Sequence, residues 1–447
     1  MHIGRGREDG LPPDFAWGCS TASYQIEGST GADGRGSSIW DVFCRVPGAV
    51  YGGMNGDFAC DSYKRWKEDI ELLKGLGVDS YRYSIAWPRI QPAGSGTILQ
   101  SGLDHYKRLA DALGEAGIES AVTLYHWDLP QALEEAGGWP ERETAYRFAE
   151  FADIAIRALG DRVGKWFTVN EPWCAAFLGY GMGHHAPGRR DPDAAHRAAH
   201  HLLLGHGLAV RACRAAAPKA PIGIVLNLFK FRPATRRPED IEAADRASDQ
   251  GSALWLDPLF GRGYPRRYLE AEGREMPVLD GDMEIIAEKT ELLGINYYSE
   301  RAVESDPASE RGFRDVPSFR DRTAMGWEIE PKGLYRLLKS VADRWPSIDL
   351  YITENGAAFE DVPDASGRIH DAERMDYLRS HVDACRRAVA DGVPLKGYYV
   401  WSLMDNFEWA YGYTKRFGLV HVDPATGKRR PKDSYYFYRD LVAGFEP

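Results

Sequence analysis

The sequence predicts a single domain over residues 1–447 with the α/β fold class of a (β/α)8 TIM barrel. Short apolar segments that suit buried parallel strands recur along the whole chain. Amphipathic helical segments lie between several of them, and no change in composition divides the chain. Strands and helices that alternate in this way form a closed parallel barrel with the helices outside.

Eight apolar segments are the predicted barrel strands. They are Phe15–Gly18, Ser80–Ile85, Ser120–Tyr125, Lys165–Val169, Ile222–Leu226, Leu292–Asn296, Leu350–Thr353 and Gly397–Trp401.

Two segments between these strands have a clear helical pattern. Ser62–Leu76 places its apolar residues on one face and precedes Gly77, a residue that commonly ends helices. Thr144–Leu159 has the same spacing and precedes Gly160. The polar stretches Arg232–Asp240 and Asp306–Arg322 have no periodic pattern, so they are predicted to be long βα loops at the rim of an active site.

Composition and charge exclude several classes of partner. A net charge of −11 opposes binding to a phosphate backbone, so no nucleic-acid partner is expected. Thirteen tryptophans hint at carbohydrate, because aromatic faces stack on sugar rings. The six cysteines are scattered and are interpreted as reduced thiols. Because neither a secretory signal nor an apolar run of about 18 residues is found, no membrane partner and a cytoplasmic location are expected.

Polar or aromatic residues follow the ends of the predicted strands. Each has an ordinary explanation alone, since such side chains usually face solvent or satisfy nearby backbone groups. A closed barrel would bring them all to one bowl at the carboxyl ends of the strands. They are Gln25, Arg82, His126-Trp127-Asp128, Asn170-Glu171-Pro172, Asn227, Asn296-Tyr297-Tyr298, Glu354-Asn355-Gly356, Trp401 and Glu408-Trp409.

Two carboxylates stand out in that bowl, Glu171 after the fourth strand and Glu354 after the seventh. Hydrolysis of a glycosidic bond needs such a pair. One group protonates the leaving oxygen, and the other attacks the sugar or stabilises an oxocarbenium-like centre. A separation of about 5–5.5 Å would indicate retention through a covalent glycosyl-enzyme.

The motifs around both glutamates resemble those of glycoside hydrolase family 1, the retaining β-glucosidases and their relatives. Thr168-Val169-Asn170-Glu171-Pro172 is similar to the acid/base motif, and Ile352-Thr353-Glu354-Asn355-Gly356 is similar to the nucleophile motif. The resemblance covers nearly the whole chain. Further matches are Thr21-Ala22-Ser23-Tyr24-Gln25-Ile26-Glu27-Gly28, His126-Trp127-Asp128-Leu129-Pro130 and Trp401-Ser402-Leu403-Met404-Asp405-Asn406-Phe407-Glu408-Trp409.

The resemblance implies that Glu354 is the nucleophile and Glu171 the acid/base catalyst. Arg82, Asn296 and Tyr298 are expected to support the nucleophile, because donors near Glu354 would keep it ionised. A nearby ionised Glu354, together with burial, would raise the pKa of Glu171. The residues expected to bind the sugar are Gln25, His126, Asn170, Tyr298, Trp401, Glu408 and Trp409.

Glu408 bears on the substrate, since a carboxylate beside the 4- and 6-hydroxyls would repel a 6-phosphate. The expected partner is therefore a small unphosphorylated β-glucoside or cello-oligosaccharide, with β-galactosides and β-fucosides as secondary substrates. Trp173, Asn227 and Trp327 are candidates for an outer subsite. No cofactor and no metal are expected, because His196, His200, His201 and His206 share a helical segment without an H-E-x-x-H arrangement.

Two other functions stay open at this point. The same barrel could be a carbohydrate-binding protein without activity, although a pure binder gains nothing by burying two carboxylates side by side. A transglycosylase would transfer the sugar to an alcohol instead of water, and acceptor choice depends on the long loops. The natural aglycone, the preferred chain length and the oligomeric state also stay open.

Overall fold

The computed structural model describes residues 10–217, 219–309, 311–346 and 348–445. The first nine residues, on which part of the signal-peptide prediction depends, lie outside the described part. The described part contains thirteen strands: β1 (Ala16–Ser20), β2 (Ser80–Ser84), β3 (Glu119–Tyr125), β4 (Val163–Asn170), β5 (Ile222–Asn227), β6 (Phe231–Pro233), β7 (Leu292–Asn296), β8 (Arg301–Ser305), β9 (Phe313–Asp315), β10 (Asp349–Asn355), β11 (Leu395–Trp401), β12 (Val420–Val422) and β13 (Arg429–Pro431).

The same ranges contain fifteen α-helices: α1 (Ser23–Ile26), α2 (Ile39–Phe43), α3 (Ser62–Leu76), α4 (Trp87–Ile90), α5 (Gln100–Glu115), α6 (Gln131–Glu135), α7 (Glu143–Leu159), α8 (Pro192–Ala216), α9 (Pro238–Ser248), α10 (Leu254–Leu259), α11 (Arg266–Glu272), α12 (Asp282–Ile286), α13 (Pro331–Arg344), α14 (Ala372–Ala390) and α15 (Asp433–Val442). Short 3-10 helices span Ala32–Gly34, Tyr51–Gly53, Gly160–Arg162 and Trp409–Tyr411. Cys174–Gly181 and Asp249–Ala253 are π-helical.

Eight of the strands close into a parallel barrel in the order β1, β2, β3, β4, β5, β7, β10 and β11, and β11 pairs back with β1. These are the eight strands that the sequence predicts, with ends that differ by at most two residues. Helices follow the barrel strands along the chain, so the predicted (β/α)8 fold class is confirmed.

The two predicted helices are also present. α3 has the predicted bounds, and Gly77 ends it in the left-handed region with a φ of 69°. Glycine takes this conformation without the steric penalty that a Cβ would add. α7 begins one residue before the predicted Thr144 and ends at Leu159 as predicted.

The prediction of structureless loops was wrong in part. β6 begins beside the stretch Arg232–Asp240, and α9 starts within it at Pro238. β9 lies inside Asp306–Arg322 and pairs with β8, which in turn pairs with β6 in a small three-stranded sheet. β6 and β9 are three residues long, which is too short to produce a periodic pattern in the sequence.

The barrel wall has packed side chains on both faces. A large core lies between strands and helices, and six barrel strands each contribute one side chain to a second cluster, of Ala121, Phe167, Val225, Leu292, Tyr351 and Tyr399. The barrel interior is therefore filled below the site. Among the described residues, none of the helices has both the length and the apolar character needed to cross a membrane.

Candidate active site

A cavity of about 1240 Å³ opens at the carboxyl ends of the barrel strands. Its lining includes eleven of the predicted site residues: His126, Glu171, Trp173, Asn227, Asn296, Tyr298, Trp327, Glu354, Trp401, Glu408 and Trp409. The other three, Gln25, Arg82 and Asn170, have no exposed surface and do not line the cavity. All fourteen nevertheless belong to one connected region, because the buried three bond to cavity-side groups or to the loop that carries Glu408.

Irregular strand ends orient the two glutamates. Glu171 directly follows β4 and has a φ of 45°, in the left-handed region that residues with a Cβ rarely adopt. The pairing of β4 with β5 is irregular just before it. Glu354 lies within β10, whose pairing with β7 shifts register between Ile352 and Glu354. Such irregularities redirect side chains, and here they accompany Glu171 and Glu354, which both line the cavity.

Glu354 receives one charged donor and one neutral donor. Nη1 of Arg82 donates to Oε1 of Glu354 at 2.7 Å, and the hydroxyl of Tyr298 donates to Oε2 at 2.6 Å. Arg82 and Glu354 are both buried, so water does not screen this ion pair strongly. The contacts expected from Arg82 and Tyr298 are therefore present.

Glu171 has only uncharged donors. Nδ2 of Asn296 donates to Oε1 at 2.7 Å, and the thiol of Cys174 donates to Oε2 at 3.1 Å. The hydroxyl of Thr353 donates to Oδ1 of Asn296 at 2.7 Å, which fixes the orientation of that amide. Nδ2 of Asn296 also donates to Oδ1 of Asn170 at 3.2 Å, so this amide links Glu171 to the neighbouring asparagine.

Burial dominates the electrostatics of the pair. Burial and then the charge of Glu354 raise the pKa of Glu171 to about 8. Burial also raises the pKa of Glu354, and Arg82, Tyr298 and Asn296 oppose that rise. Donors alone therefore do not hold the pKa of Glu354 at an ordinary value, contrary to the expectation from sequence. Because only Glu354 has an ion-pair partner, the proton of the pair belongs on Glu171.

Asn170 and His126 form an ordered pair beside the glutamates. Nη2 of Arg82 donates to Oδ1 of Asn170 at 2.6 Å, so Nδ2 of Asn170 must face His126, 3.1 Å from its Nε2. Nε2 of His126 then accepts, and the proton of the neutral ring lies on Nδ1. Burial lowers the pKa of His126 well below its usual value, in agreement with a neutral ring. Nδ1 has no partner among the described residues.

Two further side chains have unused acceptors. Nε2 of Gln25 donates to Oδ1 of Asn406 at 3.0 Å and to the carbonyl oxygen of Phe407 at 2.9 Å, whereas its Oε1 has no partner among the described residues. Oε2 of Glu408 likewise has none. Buried polar atoms are normally hydrogen-bonded, so these atoms and Nδ1 of His126 suit a polyhydroxylated ligand.

Aromatic rings surround these polar groups. His126 is stacked with Trp401 and with Trp409, with ring centroids 6.0 Å apart in each pair. Trp127 packs on Trp409 with centroids 4.6 Å apart. Trp401 lines the cavity, and the exposed fraction of its side chain is only 3%. A flat apolar wall next to polar acceptors is suited to a sugar ring, which has apolar C–H faces and polar edges.

The three outer-subsite candidates line the same cavity. Trp327 lies next to Tyr298 with centroids 5.2 Å apart, and Trp173 packs edge-on against Phe229 at 5.3 Å. Asn227 points at Cys174, because its Nδ2 donates to the sulfur at 3.4 Å. Whether these residues contact an aglycone stays a prediction.

Sequence reasoning assigned no role to three residues that have direct contacts in the site, although Trp127 and Thr353 lie in the motifs that it identified. Thr353 fixes Asn296, Cys174 donates to Glu171, and Nε1 of Trp127 donates to the carbonyl oxygen of Asn170 at 2.9 Å. No sequence pattern indicated Cys174 as a donor, because Glu171 lies in the left-handed region rather than in a helical turn with it.

The histidines of α8 have protein partners. His196 bonds to Tyr268, and His206 bonds to Thr168. His200 bonds to Asp282 at 2.9 Å. No group of three or more His, Cys, Asp or Glu side chains suited to a metal ion occurs within the described ranges.

Comparison with known proteins agrees with this geometry. The family model described as glycosyl hydrolase family 1 matches residues 7–446. The chain belongs to glycosyl hydrolase family 1. Beta-glucosidase A of Thermotoga maritima is 49% identical over 97% of this chain and 97% of its own length. The bifunctional beta-D-glucosidase/beta-D-fucosidase of Bifidobacterium breve is 43% identical over 97% of this chain and 98% of its own.

Solved structures of the family have the same architecture. The family 1 β-glucosidase from Thermotoga maritima superposes with a TM-score of 0.95 at 49% identity, covering 98% of this chain and 99% of that one. The same enzyme has been solved in complex with deoxynojirimycin, with a TM-score of 0.95 and 48% identity over 98% of this chain and 99% of that one. Similarity at this level extends over the whole barrel and its loops.

Proposed function

We propose that this chain is a retaining β-glucosidase that releases terminal non-reducing β-D-glucosyl residues from small glucosides and cello-oligosaccharides. The observation that carries the proposal is the asymmetry of the buried carboxyl pair. Glu354 has a cation 2.7 Å away, whereas Glu171 has only neutral donors and a pKa of about 8. A pair held in two protonation states at neutral pH matches the two roles that double displacement requires.

In the first step, Glu354 attacks the anomeric carbon while Glu171 gives its proton to the leaving oxygen. The products are the free aglycone and a glucosyl ester of Glu354. Esterification removes the charge of Glu354, which is the second largest contribution to the raised pKa of Glu171. Glu171 is then a base that takes a proton from water, and that water releases glucose with retention.

The buried polar groups suit the hydroxyls of one glucosyl unit. Oε1 of Gln25 and Oε2 of Glu408 are acceptors without described partners, and Nδ1–H of His126 is a donor. Asn170 lies between Arg82 and His126, where an amide that strengthens its bond to the 2-hydroxyl at the transition state would accelerate the reaction. Trp401 forms the platform under the ring in this proposal.

The proposed preference for unphosphorylated sugars is supported by the charges that act on Glu408, which are those of Glu354 and Glu171. Burial and then the charges of Glu354 and Glu171 raise the pKa of Glu408 to about 8, so repulsion by a Glu408 carboxylate is weaker than the sequence suggested. Four cationic residues are described in the cavity lining: Arg190 follows β4, Lys230 follows β5, Arg301 begins β8 and Arg322 follows β9. None lies in the segment 401–409.

The size of the cavity supports a substrate larger than one hexose. At about 1240 Å³ it exceeds the roughly 300–1,000 Å³ of ordinary ligand pockets. Trp173, Asn227 and Trp327 are proposed to contact the aglycone or a second glucosyl unit. A kinetic panel of β-glucosides, β-galactosides, β-fucosides and cello-oligosaccharides measures that preference.

The proposal is tested by trapping the ester. Incubation with 2,4-dinitrophenyl 2-deoxy-2-fluoro-β-glucoside should inactivate the enzyme and add one fluoroglucosyl group to the peptide that contains Glu354, read by mass spectrometry. Glu354→Gln, treated identically, should remain unlabelled. Labelling of any other residue, or wild-type enzyme that hydrolyses no β-glucoside, would overturn the assignment.

A further inference from the structure

A thiol lies against the carboxyl group of the proposed acid/base catalyst. Cys174 begins the π-helical segment after β4, and its Sγ lies 3.1 Å from Oε2 of Glu171. On its other side, Nδ2 of Asn227 donates to the sulfur at 3.4 Å. Asn227, at the end of β5, therefore orients the thiol, and the thiol in turn orients the carboxyl group of Glu171. All three residues line the cavity.

The direction of these bonds follows from the state of the thiol. Burial, followed by the charge of Glu171, raises the pKa of Cys174 well above its usual value, so the sulfur keeps its proton. With Asn227 donating to the sulfur, the single S–H is directed to Glu171. Two successive hydrogen bonds from neutral donors thus link Asn227 through Cys174 to the carboxyl group of Glu171.

These hydrogen bonds favour the ionised form of Glu171 over its acid form. Oε1 already accepts from Asn296, so the acid form places its proton on Oε2, opposite the sulfur. Sulfur is a weak acceptor, whereas a thiol donating to a carboxylate forms a charge-assisted bond. We propose that Cys174 is a positioning residue that stabilises the ionised, base form of Glu171 and fixes its orientation for both steps of the reaction.

The other charged and titratable groups that act on Glu171 are on different elements. Glu354 comes from β10, Arg82 from β2, Tyr298 from the segment after β7 and Glu408 from the segment after β11. Glu354 favours the acid form and Arg82 opposes it. Cys174 lies in the same segment as Glu171, apart from these four groups. A substitution of Cys174 therefore leaves them in place, and its effect on Glu171 can be measured separately from theirs.

The inference rests on the proposed function and is tested with Cys174→Ala, Cys174→Ser and Asn227→Ala. With a β-glucoside of poor leaving group, Cys174→Ala should move the basic limb of the kcat/KM profile up by about 0.5–1 pH unit. Cys174→Ser supplies a hydroxyl donor and should restore the wild-type limb. Asn227→Ala should give a smaller shift in the same direction.

Leaving-group dependence provides a second readout. With a dinitrophenyl glucoside, which needs no proton from Glu171, Cys174→Ala should lose less kcat/KM than with the poor leaving group, and the shift of the basic limb should be absent. Cys385→Ala removes a buried thiol outside the cavity and is the matched control, with no shift of the limb. Equal losses at every pH and with every leaving group in Cys174→Ala and Cys174→Ser would overturn the positioning role. Wild-type enzyme inactive on all β-glucosides would instead refute the proposed function itself.

Discussion

Glu171 and Glu354 lie at ends of different barrel strands and are almost equally buried, with exposed fractions of 6% and 3%. Their partners differ. Glu354 faces the guanidinium of Arg82 and the hydroxyl of Tyr298, whereas Glu171 faces the amide of Asn296 and the thiol of Cys174. Burial alone would push the two pKa values in the same direction. The partner groups therefore decide which carboxyl group is the nucleophile and which is the acid.

This comparison predicts unequal consequences for the two glutamates. Glu354→Gly should lower kcat by at least about 10⁴-fold with every leaving group, because no ester forms without the nucleophile. Steady-state assays with aryl glucosides measure the loss. Azide should then give an α-glucosyl azide from an activated β-glucoside. Loss of only tenfold would mean that another residue is the nucleophile.

For Glu171→Ala, the loss should depend on the leaving group. Poor leaving groups should lose about 10²–10⁴-fold in kcat/KM, because they need general acid assistance. Dinitrophenyl glucosides should still glycosylate the enzyme, and the ester should accumulate because water lacks its base. Azide should restore turnover and give a β-glucosyl azide, identified by NMR. An α-product from this variant would exclude retention.

The cation next to Glu354 is the largest difference between the two surroundings. In Arg82→Gln the pKa of Glu354 should rise further, since the opposing charge is lost. Activity requires ionised Glu354, so the acid limb of kcat/KM should move to higher pH and activity near pH 5 should fall by about 10²-fold. The change is measured as a pH profile with one aryl glucoside.

Arg89→Gln is the matched control for Arg82. Arg89 forms a buried ion pair with Glu27 at 2.9 Å, and neither residue lines the cavity. Breaking this pair should lower the free energy of unfolding by about 3–5 kcal/mol but leave the pH profile in place. An equal shift of the acid limb in both variants would show that Arg82 acts only through stability.

The barrel was predictable from sequence because its strands are continuous apolar segments of typical length. β7 was predicted with its observed bounds, and both glutamates were found because each follows such a segment. The small sheet of β6, β8 and β9 was missed, since two of its three strands are only three residues long and their pairing is determined by tertiary contacts. A single domain over residues 1–447 stays a prediction.

The sequence predicted the donors to Glu354, because that residue must be ionised as the nucleophile, but it did not predict the donors to Glu171. Arg82 and Tyr298 were found as donors to Glu354. Asn296 was expected beside the nucleophile, and it donates to Glu171 because Thr353 fixes its amide. That assignment depends on side-chain torsions, which no sequence pattern encodes. The same holds for Cys174, whose contact depends on the left-handed backbone of Glu171.

The smallest predicted effect separates Glu171 from Glu408, another carboxyl group that lines the cavity. The pKa of Glu171 is about 8, and the reaction needs its acid form, so kcat/KM should be constant through neutral pH, fall to about half near pH 8 and decline tenfold per unit above it. Glu408 also has a pKa of about 8, so its titration overlaps. Glu408→Gln removes that titration and should retain the basic limb. If the limb disappears in Glu408→Gln, Glu408 rather than Glu171 controls activity at high pH, and the assignment of the proton to Glu171 fails.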